Sequence, residues 1–332
     1  KNFDRKWIQT NLDNITKKLN KSLERWRILY EKADKMLAGA SSTINSRTTK
    51  AGSQEYRNAQ RDQIQAKRQI GLLCNDVRGS SQLSEFYPYR YLAAEGFLPG
   101  YNFTRLPVRA FIPNSTTGGE YISRPRHIAL REFGPLNIIY YNGKKYRIDQ
   151  LITQELETSL KKAKIATPSG FFLQNEEINR EKCPFSGADL SISSNKRFIH
   201  NIVDLSESRT RQTERISCEE EERSSKGFGI QIYFSIDGRD FDNIKKTMIK
   251  ADDEDLLRLR YIPAARLIYI NEKWRSQKEE GFPINKTSGY WKAGMPKPDD
   301  ANSNPEDFTR VKLMTTTTAD AIYIEPIEAL GL

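Results

Sequence analysis

Histidine is scarce in this chain, with His127 and His200 the only two among 332 residues, and cysteine occurs three times, at Cys74, Cys183 and Cys218. Two imidazoles so far apart do not make an imidazole-rich metal site, and each reads as a structural residue. Three thiols, odd in number and widely spaced, do not make a disulfide framework. There is no Cys-x-x-Cys pair and no His-Glu-x-x-His, so no bound metal is expected. The loop G-x-x-x-x-G-K-[ST], whose backbone amides cradle nucleotide phosphates, is also missing, and this chain alone is not expected to hydrolyse ATP. No run approaches the ~20 apolar residues of a membrane helix. The charged opening Lys1–Lys6 does not read as a secretory signal, so the expectation is a cytoplasmic protein with no membrane partner. The apolar share is low, 37% beside 29% charged residues. Much of the chain is therefore solvated surface, long helix or contact area for partners. The chain opens without Met inside an amphipathic pattern, and it reads as an internal or C-terminal piece of something longer.

Positive charge is what the chain has in excess, a net +10 with a pI near 9.3. A positive field concentrates phosphate-bearing ligands, which favours nucleic acid as partner over an acidic protein surface. Most of the excess lies at the start, where Lys1–Arg78 holds 17 basic and 8 acidic residues. From Phe3 to about Ala38 there is no Pro or Gly, and Ile8, Leu12, Ile15, Leu19, Leu23, Trp26, Leu29 and Met36 recur in steps of three and four. That spacing predicts a helix with one buried stripe, roughly 50 Å long. Gly39 is expected to end it and Ser41–Gly52 to form a loop. A second, more polar helix is predicted over Ser53–Leu73 on Tyr56, Ala59, Ile64, Ala66 and Ile70, giving an antiparallel hairpin. This arm is either a solvated coiled coil or an arm laid along a duplex backbone.

After a linker at Gly79–Glu85 the texture changes. Phe86–Pro113 is dense in aromatics, with Pro88, Pro99, Pro107 and Pro113 excluding a long helix. Its rings, Phe86, Tyr87, Tyr89, Tyr91, Phe97, Tyr101 and Phe103, are expected to be buried in a rigid hub. Strands are predicted at His127–Phe133 and at Asn137–Tyr141 and Lys145–Ile148 around an Asn142–Gly143 turn. Helices are predicted near Ile199–Leu205 and Ile216–Ser224. Gly229–Ile236 alternates as a half-buried strand, Ala264–Asn271 is a strand or short helix, and Ala321–Ile327 a final strand. The fold class is α+β, a long antiparallel helical hairpin followed by a mixed, strand-rich globular region. Its parts are a basic hairpin (1–78), an aromatic hub with a basic β region (79–150), an irregular insert (151–200) and a mixed C-terminal region (201–332).

Two clusters are candidate nucleic-acid contacts. The first is Arg124, Arg126, Arg131, Lys144, Lys145 and Arg147, interleaved with Tyr121, Phe133, Tyr140, Tyr141 and Tyr146. Guanidinium groups fit phosphates in a bidentate manner and aromatic faces stack bases. On strands, alternate residues share a face, so this set makes either a basic-aromatic surface or a tyrosine core with charged edges. The second is Arg209, Arg211 and Arg215, with Lys226 beside the acidic run Glu219–Glu222. There an internal ion-pair network competes with phosphate contact. Four consecutive carboxylates on a helix point in different directions and do not converge on one ion. No catalytic residue is identified.

These segments also carry a resemblance. Phe86–Pro113, FYPYRYLAAEGFLPGYNFTRLPVRAFIP, resembles a signature segment in the C-terminal part of very large bacterial DEAD/DEAH-box helicases, the MrfA-like DNA-repair and phage-defence helicases. Tyr121–Ile148, Ser208–Phe228 and Ile270–Phe282 continue the likeness in order, and Leu23–Ala33 is similar to the helical arm before the signature. The resemblance implies a C-terminal accessory, nucleic-acid-binding region of an ATP-dependent DNA helicase or translocase, plausible in anti-phage defence. ATP and Mg would belong to the motor domains, in the same or a companion chain; DNA, the motor and a defence subunit would be partners. The family often places Cys-x-x-Cys knuckles in the insert. Here only Cys183 stands in KCPFSGAD, with Ser186 at the second thiolate position. The alternative from another class is an architectural module that docks a partner subunit.

Overall fold

The computed structural model describes residues 5–46, 49–76, 87–95, 97–98, 106–113, 119–153, 156–215, 227–236, 241–251, 254–297 and 304–327. They form two compact units, Lys1–Leu106 with Pro113–Glu120, and Pro107–Ile112 with Tyr121–Leu332.

The first unit is the expected helical hairpin, α1 (Arg5–Asn45) and α2 (Gln54–Leu73), with a short α3 (Pro88–Ala94). The inward positions of α1 follow alternating steps of three and four, the apolar Leu12, Ile15, Leu19, Trp26, Leu29, Ala33, Met36 and Ala40 with the polar Ser22 among them. This is the seam of a coiled coil. Ser22, Ala33 and Ala40 on that seam are buried, as are Ala59, Ala66, Gln69 and Leu73 on α2. Small residues on both sides let the helices approach closely. Gly39 does not end α1: the helix runs six residues further, to Asn45. A helical Gly costs only about 1 kcal/mol, and the burial of Ala40 beside it offsets that. The Ser53 hydroxyl accepts the Tyr56 amide at 3.1 Å and caps α2. Ile64, expected on the inner stripe of α2, is 46% exposed.

In α3, Pro88 occupies the first turn and Tyr91 carries the packing. The Tyr91 hydroxyl donates to the Ser22 carbonyl at 2.8 Å and accepts the Trp26 amide at 3.1 Å. It therefore sits on the rung of α1 between those two residues. The expected burial of the aromatic segment holds for Tyr91 but not for Tyr87 and Tyr89, which are 52% and 68% exposed. Tyr89, two residues from Tyr91, lies on a different face of α3, and Tyr87 precedes the helix. Phe97 is half-buried, and Phe86, Tyr101 and Phe103 lie outside the described residues.

The second unit contains β1 (Val108–Ile112), β2 (Glu120–Arg124), α4 (Arg126–Glu132), β3 (Ile138–Tyr141), β4 (Lys144–Leu151), β5 (Lys161–Ala166), β6 (Phe171–Gln174), β7 (Lys196–Asp204), β8 (Glu207–Arg215), β9 (Phe228–Ser235), β10 (Lys245–Ala251), β11 (Glu254–Trp274), β12 (Phe282–Asn285) and β13 (Phe308–Pro326). Five strands form a sheet in the order β2-β1-β8-β4-β3. The others run β10-β11-β9-β6-β5-β7-β13-β12, and β11 also pairs with β13, so six strands from β11 round to β13 close into a barrel. Every barrel strand contributes to its filling, including Ile165, Phe172, Ile199, Tyr233, Ile268 and Met314. A second core lies between the outer wall of the barrel, α4 and one face of the five-stranded sheet.

The Asn142–Gly143 turn holds, with φ of +46° and +71° at the two residues. The predicted strands at 229–236, 264–271 and 321–327 fall on β9, β11 and β13. Two elements differ. His127–Phe133 is the helix α4: Ala129, Leu130 and Phe133 are buried while His127, Ile128 and Arg131 are exposed, a helical rather than an alternating pattern. Ile199–Leu205 is strand β7, not a helix. Asn201 has a φ of +56° and the register against β5 shifts there, so Ile199 and Ile202 point inward three residues apart. A bulge in a strand thereby imitates helical spacing. The helix predicted near Ile216–Ser224 lies outside the described residues.

Candidate nucleic-acid interface

β4 alternates across the five-stranded sheet. Tyr146 and Ile148 enter the core, which turns Lys145, Arg147 and Asp149 to the opposite face. β8 lies antiparallel to β4, and Arg147 is directly opposite Arg211. One arginine from each of the two clusters that are separate in sequence therefore stands on one sheet face.

The Asp149 carboxylate organises that face. Arg147 donates from Nε to Asp149 Oδ1 at 2.9 Å and pairs with it from a terminal nitrogen at 2.8 Å, and Arg211 Nε pairs with Oδ2 at 2.7 Å. The Asp149 side chain is 7% exposed, whereas those of Arg147 and Arg211 are 40% and 63% exposed. One buried carboxylate thus holds two solvent-facing guanidiniums across adjacent strands. Within this group two guanidinium charges face one carboxylate charge.

The other predicted residues divide. Arg124 ends β2 and donates to Glu132 at 2.7 Å. Arg126 opens α4 and reaches the Thr316 carbonyl at 3.4 Å. Both are engaged within the fold. Arg131 and Lys144 are exposed. Lys145 is 5% exposed, so its expected place on an open cationic surface is not observed. It lies between Tyr140 and the β8 strand, where Thr213 Oγ1 donates to its carbonyl. Arg209 is half-buried on β8 opposite Phe111. The backbone of Arg215 pairs with Lys144; its side chain, Lys226 and Glu219–Glu222 lie outside the described residues. Of the predicted stacking aromatics, Phe133, Tyr146 and Tyr121 are buried, and Tyr121 donates to Glu207 at 3.0 Å. Only Tyr140 and Tyr141 are half-exposed. The face is accordingly suited to phosphate contact by arginine more than to base stacking.

Asp149 was missed by a search for cations and rings. The available signal was its position two residues after Arg147, which on a strand means the same face.

Cys183 is 1% exposed, within the core of Phe171, Phe185 and Leu190. The Ser186 amide donates to its sulfur at 3.5 Å, so a tight turn closes around a single thiol. Among the described residues no three His, Cys, Asp or Glu side chains come together as metal ligands. A further polar group lies at the barrel: Arg197 pairs with Glu272 at 3.0 Å and Glu280 at 2.9 Å, and Lys312 with Glu280 at 2.5 Å. Burial and the Glu272 charge push the Tyr233 phenol beside it up to about 12. Two cations face two carboxylates, so this group is neutral and braces the barrel. Among the described residues, no helix is long and apolar enough to cross a membrane. No protein-family model, curated protein or solved structure matches the chain.

Proposed function

We propose that this chain is a nucleic-acid-binding accessory region that grips a phosphate backbone in the service of an ATP-driven DNA helicase or translocase. The observation that carries the reading is the pair of exposed guanidiniums, Arg147 and Arg211, fixed by one buried carboxylate. Guanidiniums held in place lose less freedom on meeting a phosphate than free side chains do. The net charge of +10 supplies a field for non-specific attraction. ATP and Mg belong, in this reading, to motor domains supplied by the same or a companion chain, with anti-phage defence as one setting.

The test is a titration of the whole chain against labelled DNA of two unrelated sequences over a range of salt. The double substitution Arg147→Ala and Arg211→Ala is expected to weaken both sequences alike. It should flatten the plot of log affinity against log salt by about one to two units, because each phosphate contact contributes about 0.9. An unchanged slope, with the fold intact by circular dichroism, would remove this face from the nucleic-acid reading.

A further inference from the structure

The coiled-coil seam of α1 is only partly occupied. From Ser22 to Ala40 its inward positions are covered: Ser22, Ala33 and Ala40 are buried, and Trp26, Leu29 and Met36 are half-buried. α2 ends level with Trp26, whose indole nitrogen donates to the Leu73 carbonyl at 3.1 Å. α3 reaches the same level through the Tyr91 hydroxyl at Ser22. Toward the N-terminus the same repeat continues with Leu19, Ile15 and Leu12. Leu12 is 57% and Ile15 49% exposed, with Leu19 half-buried between them and the hairpin. Two large apolar residues of the seam thus lie where the hairpin does not cover it.

We propose that residues 9–21 of α1 form a docking seam for one helix of a partner protein, heptad-patterned and acidic along its flanks. Continuity with the α1–α2 seam identifies the occupant as a helix, because alternating steps of three and four accept knobs from another helix. Charge identifies its chemistry. Lys17, Lys18 and Lys21 stand in this stretch against the single acid Asp13. The positions flanking the seam, Gln9, Asn11, Thr16 and Lys18, include no acid. A second copy would bring like charge against like charge and gain no flanking ion pair. Duplex DNA would satisfy the lysines and leave Leu12 and Ile15 in water. An acidic heptad helix satisfies both. The proposal is independent of the sheet face and its arginines.

The experiment uses the whole chain and a labelled synthetic peptide of three heptads, with Leu at the inward positions and Glu at the flanks. A matched peptide carries Lys at the flanks. The acidic peptide is expected to bind at least about tenfold more tightly than the basic one, since opposite flanking charges select coiled-coil partners. Leu12→Asp and Ile15→Asp should each weaken it by about tenfold or more, the effect of placing a charge in an apolar seam. Ile28→Asp should leave binding unchanged, since Ile28 is 46% exposed on the same helix but off the seam. Unaltered helical circular dichroism would show that each variant is folded. Equal binding of the two peptides, or binding insensitive to Leu12→Asp, overturns the proposal. So does a dimer in sedimentation that Leu12→Asp dissolves, which would assign the seam to a second copy. Loss of duplex DNA binding on Ile15→Asp, without peptide binding, would assign it to nucleic acid and overturn the proposal likewise.

Discussion

Asp149 shows how one residue can tie two strands together. Its carboxylate is almost fully buried and holds two guanidiniums that remain largely in water. Removing one member of a buried pair costs about 3–5 kcal/mol, but solvent screens these exposed partners. Asp149→Asn is therefore expected to destabilise the fold by about 1–3 kcal/mol in urea unfolding. Because the substitution also removes the charge that offsets Arg147 and Arg211, the salt dependence of DNA binding should steepen. A gentler slope would mean that Asp149 positions the arginines more than it neutralises them. Glu280 makes a second prediction at this scale. The Lys312 ammonium, and then Arg197, hold its carboxyl below the usual glutamate range. A carboxyl depressed in the folded state stabilises the fold above its unfolded value, about 4.3, and that stability disappears as pH falls through the folded value. Melting temperature followed from pH 6 to pH 3 should fall less steeply for Glu280→Gln than for the parent chain.

At the scale of elements, Tyr91 separates two contributions that the sequence cannot distinguish. Its hydroxyl occupies a rung of α1, between the Ser22 carbonyl and the Trp26 amide, and its ring is 3% exposed. In Tyr91→Phe those two groups keep their helical spacing of four residues, so the loss should be about 1 kcal/mol. Tyr91→Ala empties the site of the ring and should cost about 3–5 kcal/mol. Urea unfolding followed by helical circular dichroism measures both, and equal losses would show that the hydroxyl outweighs the ring. The hairpin itself was legible because α1 and α2 keep one period without interruption. The strand at 229–236 and the turn at Asn142–Gly143 were legible for the same reason, each being a local signal. What escaped was set by neighbours. β7 looked helical because a bulge at Asn201 displaced its alternation, and α4 looked like a strand because its seven residues are too few to display a period. The candidate face was legible as a list of cations but not as a site. Nothing local shows that β8 lies against β4, that Lys145 is buried, or that Arg147 and Arg211 meet on Asp149.

At the scale of the whole molecule, the second unit has two large cores with a common wall. β13 carries Leu313 into the core beneath the five-stranded sheet and Met314 into the barrel. The two residues are adjacent, on opposite faces of one strand, and both are almost fully buried, at 0% and 1% exposure. α4 fastens the same wall, since Asn271 of β11 donates to the Leu130 carbonyl at 3.1 Å and Trp274 to the Pro135 carbonyl at 3.4 Å. Opening the barrel requires β13 to leave both cores together, so neither is expected to unfold alone. Leu313→Ala and Met314→Ala should each cost about 2–5 kcal/mol, the range for truncating a large aliphatic side chain in a close-packed interior. The informative measurement is whether the unit keeps a single transition. Trp274 and Trp291 lie in the sheet-side core, so tryptophan fluorescence follows that side. Hydrogen exchange at the amides of Ile268 and Ile270 follows the barrel. The free energies from the two probes should fall together in both variants, because a cooperative unit opens all its amides with one free energy. If Met314→Ala lowers protection in the barrel and leaves the fluorescence transition in place, the shared strand does not couple the two cores.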